Sequence, residues 1–170
     1  MNPLINLAKA FGEYLGEDIM RFQQLRELLG YVATCRHEMS QLYGRLLSDA
    51  DSSRVKMMLE YFKQHQQAVA EQLEDYIDEA PKKVLDTWYK DITFEDFIKR
   101  CHELTLTANM SEEDILEAHL DLDNRLIDLL QKTAEHSSSS EISGALNDLV
   151  RVEKIQQQRL VHSSIRMDDL

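Results

Sequence analysis

Residues 22–47 read FQQLRELLGYVATCRHEMSQLYGRLL. Leu25, Leu28, Val32, Cys35, Met39, Leu42 and Leu46 recur there in steps of three and four. That spacing stacks the side chains along one face of an α-helix. No proline interrupts the run, and Gly30 and Gly44 each cost about 1 kcal/mol of helix propensity. Such a stripe has to be covered by partner helices. One residue on the arc does not suit an apolar interior. Arg36 follows Cys35 directly, and a guanidinium there must be paired or must reach out to water.

Outward from this stretch, the periodicity predicts a helix over 17–48, a turn at 49–52 and a second helix ending near 79. The second helix shows Val55, Met58, Leu59, Phe62, His65, Val69, Leu73, Tyr76 and Ile77 on one face. Pro81 stops it. So short a turn makes the two helices of 17–79 antiparallel neighbours. Upstream, residues 1–16 read as a short helical arm, with Asn2 as cap, Pro3 at the first position and Leu4, Leu7, Ala8, Phe11 and Leu15 on one face.

Residues 80–110 read as a crossover. Val84, Leu85 and Trp88 suggest a short helix, and Thr93 is expected to cap another that carries Phe94, Phe97, Ile98 and Cys101. Ser111, followed by Glu112, Glu113 and Asp114, is the strongest helix start in the chain. The pair that follows occupies 111–162. Its first helix shows Ile115, Ala118, His119, Leu122, Leu126, Leu129, Leu130 and Thr133. Its second, after the turn at Ser137–Ser140, shows Ile142, Ala145, Leu146, Leu149, Val152, Ile155 and Leu160. The tail, 163–170, is expected to fray or to pack lightly. Helix pair, long crossover, helix pair in one domain is the connectivity of a four-helix bundle with one long connection. The crossover is expected to leave both interhelical turns at one end.

The charge excludes some functions. The 170 residues carry a net charge of −12, about −1 over 1–50, −4 over 51–110 and −7 over 111–170. Phosphate binding needs a basic patch, so neither a nucleic-acid role nor an anionic membrane surface is expected. No run approaches the 18 or so apolar residues of a membrane span. Residues 1–16 lack the basic start and continuous apolar run of a secretory signal. Cys35 and Cys101 sit among apolar neighbours and are expected to be buried free thiols in a cytoplasmic protein.

Several polar residues fall on the core faces. Arg36 precedes Tyr43 by seven residues. The second helix keeps His65 in the run Phe62-Lys63-Gln64-His65. The third has His119, with Asp121 and Asp123 nearby. The fourth carries Glu153 and Gln156. In topology and at these positions, residues 20–162 resemble the rubrerythrin-like branch of the ferritin-like superfamily. The resemblance implies an all-α, ferritin-like four-helix bundle. That family places a metal-binding Glu seven residues before a Tyr, where this chain has Arg36 and Tyr43. It places Glu-x-x-His on two helices. Here one match keeps His65 but has Phe62 for Glu, and the other keeps Glu153 but has Gln156 for His. The resemblance therefore implies a lost two-metal site.

The expected replacement is a buried polar network of Arg36, His65, Glu153 and Gln156, with Arg36 donating to Glu153. No catalytic residue, cofactor or resident metal is expected. The preferred reading is a non-catalytic bundle that acts through contact with a protein or a small apolar ligand. The rival is a metal-dependent oxidoreductase or metal-binding protein that holds a single zinc or iron on His65, Glu153 and either His119 or an Asp of the same helix. A homodimer through an outer helix face is the oligomer that such bundles commonly form.

Overall fold

A short strand, not a helix, precedes the organising helix. In the computed structural model, which describes residues 19–168, β1 (Ile19–Gln24) runs into α1 (Leu25–Asp49). Helix α2 (Ser53–Glu79), the single turn α3 (Lys82–Leu85), β2 (Trp88–Glu95) and α4 (Phe97–Glu103) follow, then the long helices α5 (Glu112–Glu135) and α6 (Ser140–Asp168). The arm expected over 1–16 lies outside the described residues. No helix among the described residues is long and apolar enough to cross a membrane. The chain divides into two compact units. The first contains the described residues up to Arg45 and Lys63–Thr105, and the second contains Leu46–Phe62 and the described chain from Leu106.

In the first unit, β1 and β2 pair antiparallel, with Met20 opposite Phe94 and Phe22 opposite Ile92. Met20 and Phe22 are buried two residues apart, so the alternation of β1 presents one apolar face to the core. On β2, Ile92 is buried and so, past the irregularity in register between Phe22 and Gln24, is Tyr89. The Leu25 N–H donates to the Thr87 carbonyl at 3.0 Å, which carries the pairing up to the helix start. There the Glu27 carboxylate accepts from the backbone of Gln23 at 3.0 Å. The strands correct two expectations. Residues 19–24 are not the first turns of a helix, and Trp88–Glu95 is not helical. Thr93 caps nothing; Asp96 accepts from the Lys99 N–H at 3.1 Å and starts α4 instead.

Tyr31 fastens these pieces to α1. Its hydroxyl accepts from the Phe97 N–H at 3.0 Å, and its ring meets Phe22 at 5.2 Å and Phe94 at 6.3 Å between centroids. From Tyr31 to Ser40, α1 is buried on all sides, with only His37 partly exposed. A helix covered all round lies in a core rather than on a surface. Contacts across α1 and α2 run in opposite directions: Arg36 meets Gln66, while Ser40 donates to the carbonyl of Lys63 at 3.0 Å. The pair is antiparallel, as expected.

In the second unit, the capping box at Ser111 forms as its sequence predicts. The Ser111 hydroxyl accepts from the Asp114 N–H at 3.1 Å, and Asp114 accepts from the Ser111 N–H at 2.8 Å. Those bonds hold the Asp114 carboxyl below its usual range. Ile115, His119, Leu122, Leu126, Leu129, Leu130 and Thr133 are buried along α5. The face of α6 differs from expectation. Leu146, Val150, Glu153, Leu160 and Ser164 point inward, whereas Val152 and Ile155 are 46% and 42% exposed. Helix α6 also continues through the expected tail to Asp168.

The turn between α1 and α2 sits at the start of α5. The Asp51 N–H donates to the Ala108 carbonyl at 2.9 Å, and Arg54 pairs with Glu112 at 3.0 Å. The turn between α5 and α6 lies at the other end of α5, about 36 Å away for 24 residues. The two turns are therefore at opposite ends, not at one. Residues 80–110 bring the chain back to the turn that opens α2, so the next hairpin must close at the far end.

Candidate functional site

Four polar residues on α1 are buried: Thr34, Arg36, Glu38 and Ser40. A buried polar group costs free energy unless it is hydrogen-bonded, and each has a partner in the first unit. Thr34 donates to the Gly30 carbonyl at 3.0 Å, and Ser40 to Lys63. Glu38 accepts from the His102 Nε2–H at 2.9 Å. Arg36, 1% exposed, donates from Nη1 to Gln66 Oε1 at 3.0 Å and lies 3.9 Å from Met39 Sδ. The Gln66 amide then donates to His65 Nδ1 at 3.3 Å. Gln66 thus joins Arg36 to His65, two residues the sequence singled out.

Sequence reasoning missed Gln66 and Glu38. The signal was present. Phe62, Gln66, Val69 and Leu73 keep strict helical spacing and are all buried, while His65 is only half-buried at the edge of that face. Glu38 lies three residues past Cys35 and is buried beside it.

Two thiols complete this region. Cys35 and Cys101 are free and buried. Burial pushes the Cys35 thiol well above its usual range. Burial, reinforced by Glu38, pushes Cys101 up to about 12. Neither is an activated nucleophile, because reactivity follows the thiolate.

The second unit holds the other residues singled out. Glu153 is buried on α6 at 8% exposure and Gln156 is half-buried. His119 is buried on α5, its ring 4.9 Å from Phe62 and its Nε2 4.0 Å from Asp123 Oδ2. Asp123 accepts from Gln157 Nε2 at 2.6 Å, and the same amide donates to Asn124 at 2.9 Å. Of the two aspartates near His119, Asp123 is buried and Asp121 is exposed.

No family model matches the sequence. No curated protein matches it either. Among solved structures, the chain is similar to a Thermotoga maritima protein provisionally described as ferritin-like and diiron-carboxylate, whose crystal structure extends to 2.30 Å. The likeness has a TM-score of 0.53 at 14% identity, over 83% of this chain and 94% of that one. The class defined is therefore one of architecture: an all-α, ferritin-like bundle with a long connection between its two helix pairs.

Many bundles of this architecture hold two metal ions between carboxylates and imidazoles from all four helices. Among the described residues, no three His, Cys, Asp or Glu side chains are grouped to hold a metal ion. In the middle of α1, the buried Arg36 guanidinium donates to the Gln66 side-chain oxygen.

Proposed function

We propose that the chain is a non-catalytic ferritin-like scaffold, related in plan to the rubrerythrin-like branch, that acts through contact with a protein or a small apolar ligand. The observation that carries this reading is Arg36, a cation buried in α1 and hydrogen-bonded to Gln66. A fixed positive charge repels a dication and cannot serve as its ligand. The buried Arg36 and Glu153 and the half-buried His65 and Gln156 belong to the scaffold in this reading, and a double-mutant cycle on Arg36 and Glu153 measures whether their substitutions couple. The net charge of −12 supports a partner other than nucleic acid. Two buried free thiols support a reducing, cytoplasmic setting.

Titration with zinc and with ferrous iron, followed by thermal melting, tests the proposal. The wild-type melting temperature should not move. A saturable rise, which comes from preferential binding of metal to the folded state, would favour a single ion on His65, Glu153 and His119. That rival draws on two buried residues, Glu153 and His119. The Arg36→Glu variant, titrated in parallel, reports whether a carboxylate at this position restores affinity.

A further inference from the structure

The outward side of α6 carries a pattern that the core does not use. Glu141, Ala145, Asp148, Val152, Ile155, Arg159, His162 and Arg166 follow one another in steps of four and three over seven turns of helix. All except the half-buried Ala145 are exposed, and they lie opposite the buried stripe of Leu146, Val150, Glu153, Leu160 and Ser164. Steps of four and three keep these residues on one face of the helix, and two exposed apolar side chains, Val152 and Ile155, sit at its centre.

Its charges are ordered. Acids occupy the first half, Glu141 and Asp148, and bases the second, Arg159 and Arg166, with Val152 and Ile155 between them. In a chain of net charge −12, the stretch from Leu149 to Arg166 holds Arg151, Lys154, Arg159 and Arg166, and its one acid, Glu153, is buried.

We infer that this stripe is a homodimer interface in which α6 packs antiparallel on α6 of a second copy, about a two-fold axis between Val152 and Ile155. The order of the residues is self-complementary in that arrangement. Val152 meets Ile155 of the partner subunit, Asp148 meets Arg159 of the partner subunit, and Glu141 meets Arg166 of the partner subunit. Each contact occurs twice, as in any isologous interface. A parallel pairing would set Asp148 against its own copy and Arg159 against its own copy, so like charges select the antiparallel form. The Asp148–Arg151 bond within the helix, 2.9 Å between side chains about 70% exposed, is a weak surface pair that the intersubunit contact can replace. One helix pair buries an area at the low end for specific complexes, so the dimer is a weak, concentration-dependent one.

Sedimentation velocity over a dilution series tests this on the full chain. Wild type should pass from monomer to dimer as concentration rises, and added salt should oppose the transition. Asp148→Arg alone and Arg159→Asp alone each place like charges together twice and should weaken association about tenfold or more. An equimolar mixture of the two variants should recover the dimer, because the mixed pair restores opposite charges at both contacts. Both positions are exposed, and an unchanged circular dichroism spectrum separates lost association from lost fold. Wild type that stays monomeric throughout, or single variants that associate like wild type, would overturn the inference. So would a mixture that remains monomeric.

Discussion

Arg36 is the residue on which the functional account turns. It is 1% exposed and donates to a neutral amide, so its removal deletes a large buried side chain and leaves Gln66 Oε1 without that donor. Arg36→Ala should therefore destabilise the protein by about 3–5 kcal/mol in urea denaturation. A loss under about 0.5 kcal/mol is the value of an exposed surface site and would deny the guanidinium a structural role. The thiols give a second prediction at this scale. Cys35 and Cys101 should resist a thiol reagent at pH 8 in the native protein and react fully once it is unfolded. The same burial has a consequence for stability. The Cys101 proton is held to about 12 in the folded chain but only to its ordinary 9.0 when exposed. The unfolded state therefore gives up its proton first as pH rises. This contribution is complete below about pH 9 and is lost as pH climbs toward 12. A urea midpoint that holds from pH 7 to 9 and then falls is the expected outcome. Arg36 was legible from sequence because a charge on a regular apolar stripe breaks a pattern. Gln66 was missed although it keeps helical spacing with Phe62, Val69 and Leu73, because an amide on such a face breaks the pattern less sharply than a charge does.

Among the elements, the four long helices were legible because each repeats its apolar spacing over six or more turns. The hairpin was not. Residues Ile19–Gln24 and Trp88–Glu95 are separated by some 60 positions, and a strand of six or eight residues shows too few alternations to outweigh the helical pattern beside it. Ile92, Thr93 and Phe94 carry strand-favouring side chains, yet Thr93 also serves as a helix cap, and only the partner strand decides between the two. The outer side of α6 misled for a related reason: Val152 and Ile155 keep helical spacing with the core residues but belong to the opposite face. The hairpin and α4 depend on one hydroxyl on α1. Tyr31→Phe keeps the ring contacts and removes the acceptor for the Phe97 N–H. That leaves a buried donor unmet at a cost of about 1–3 kcal/mol. The amide of Phe97 should then exchange faster with deuterium, while amides in the middle of α5 keep their protection relative to global unfolding. Unchanged stability together with unchanged exchange at Phe97 would show that the hydroxyl does not secure α4.

Among the described residues, the four long helices and their order were readable, but the placement of the turns followed from sequence only after one geometric step. A connection that returns the chain to its starting end puts the second hairpin turn at the opposite end from the first. Spin labels at Asp51 and Ser138 should report a separation on the order of 40 Å, about the length of α5 with its flanking turns. A separation under about 15 Å would return the turns to one end and is incompatible with the Asp51–Ala108 bond together with a continuous α5. The ferritin-like plan agrees with this arrangement, but a plan does not carry a function, which lives in the site. The claim at the centre of this account is that the scaffold persists without the two-metal site its architecture can hold. Elemental analysis of wild-type protein, expressed in iron- and zinc-supplemented medium and purified without chelator, measures that most directly. The account predicts well under one metal ion per chain. Roughly two ions per chain, the content of a two-metal bundle, would contradict it.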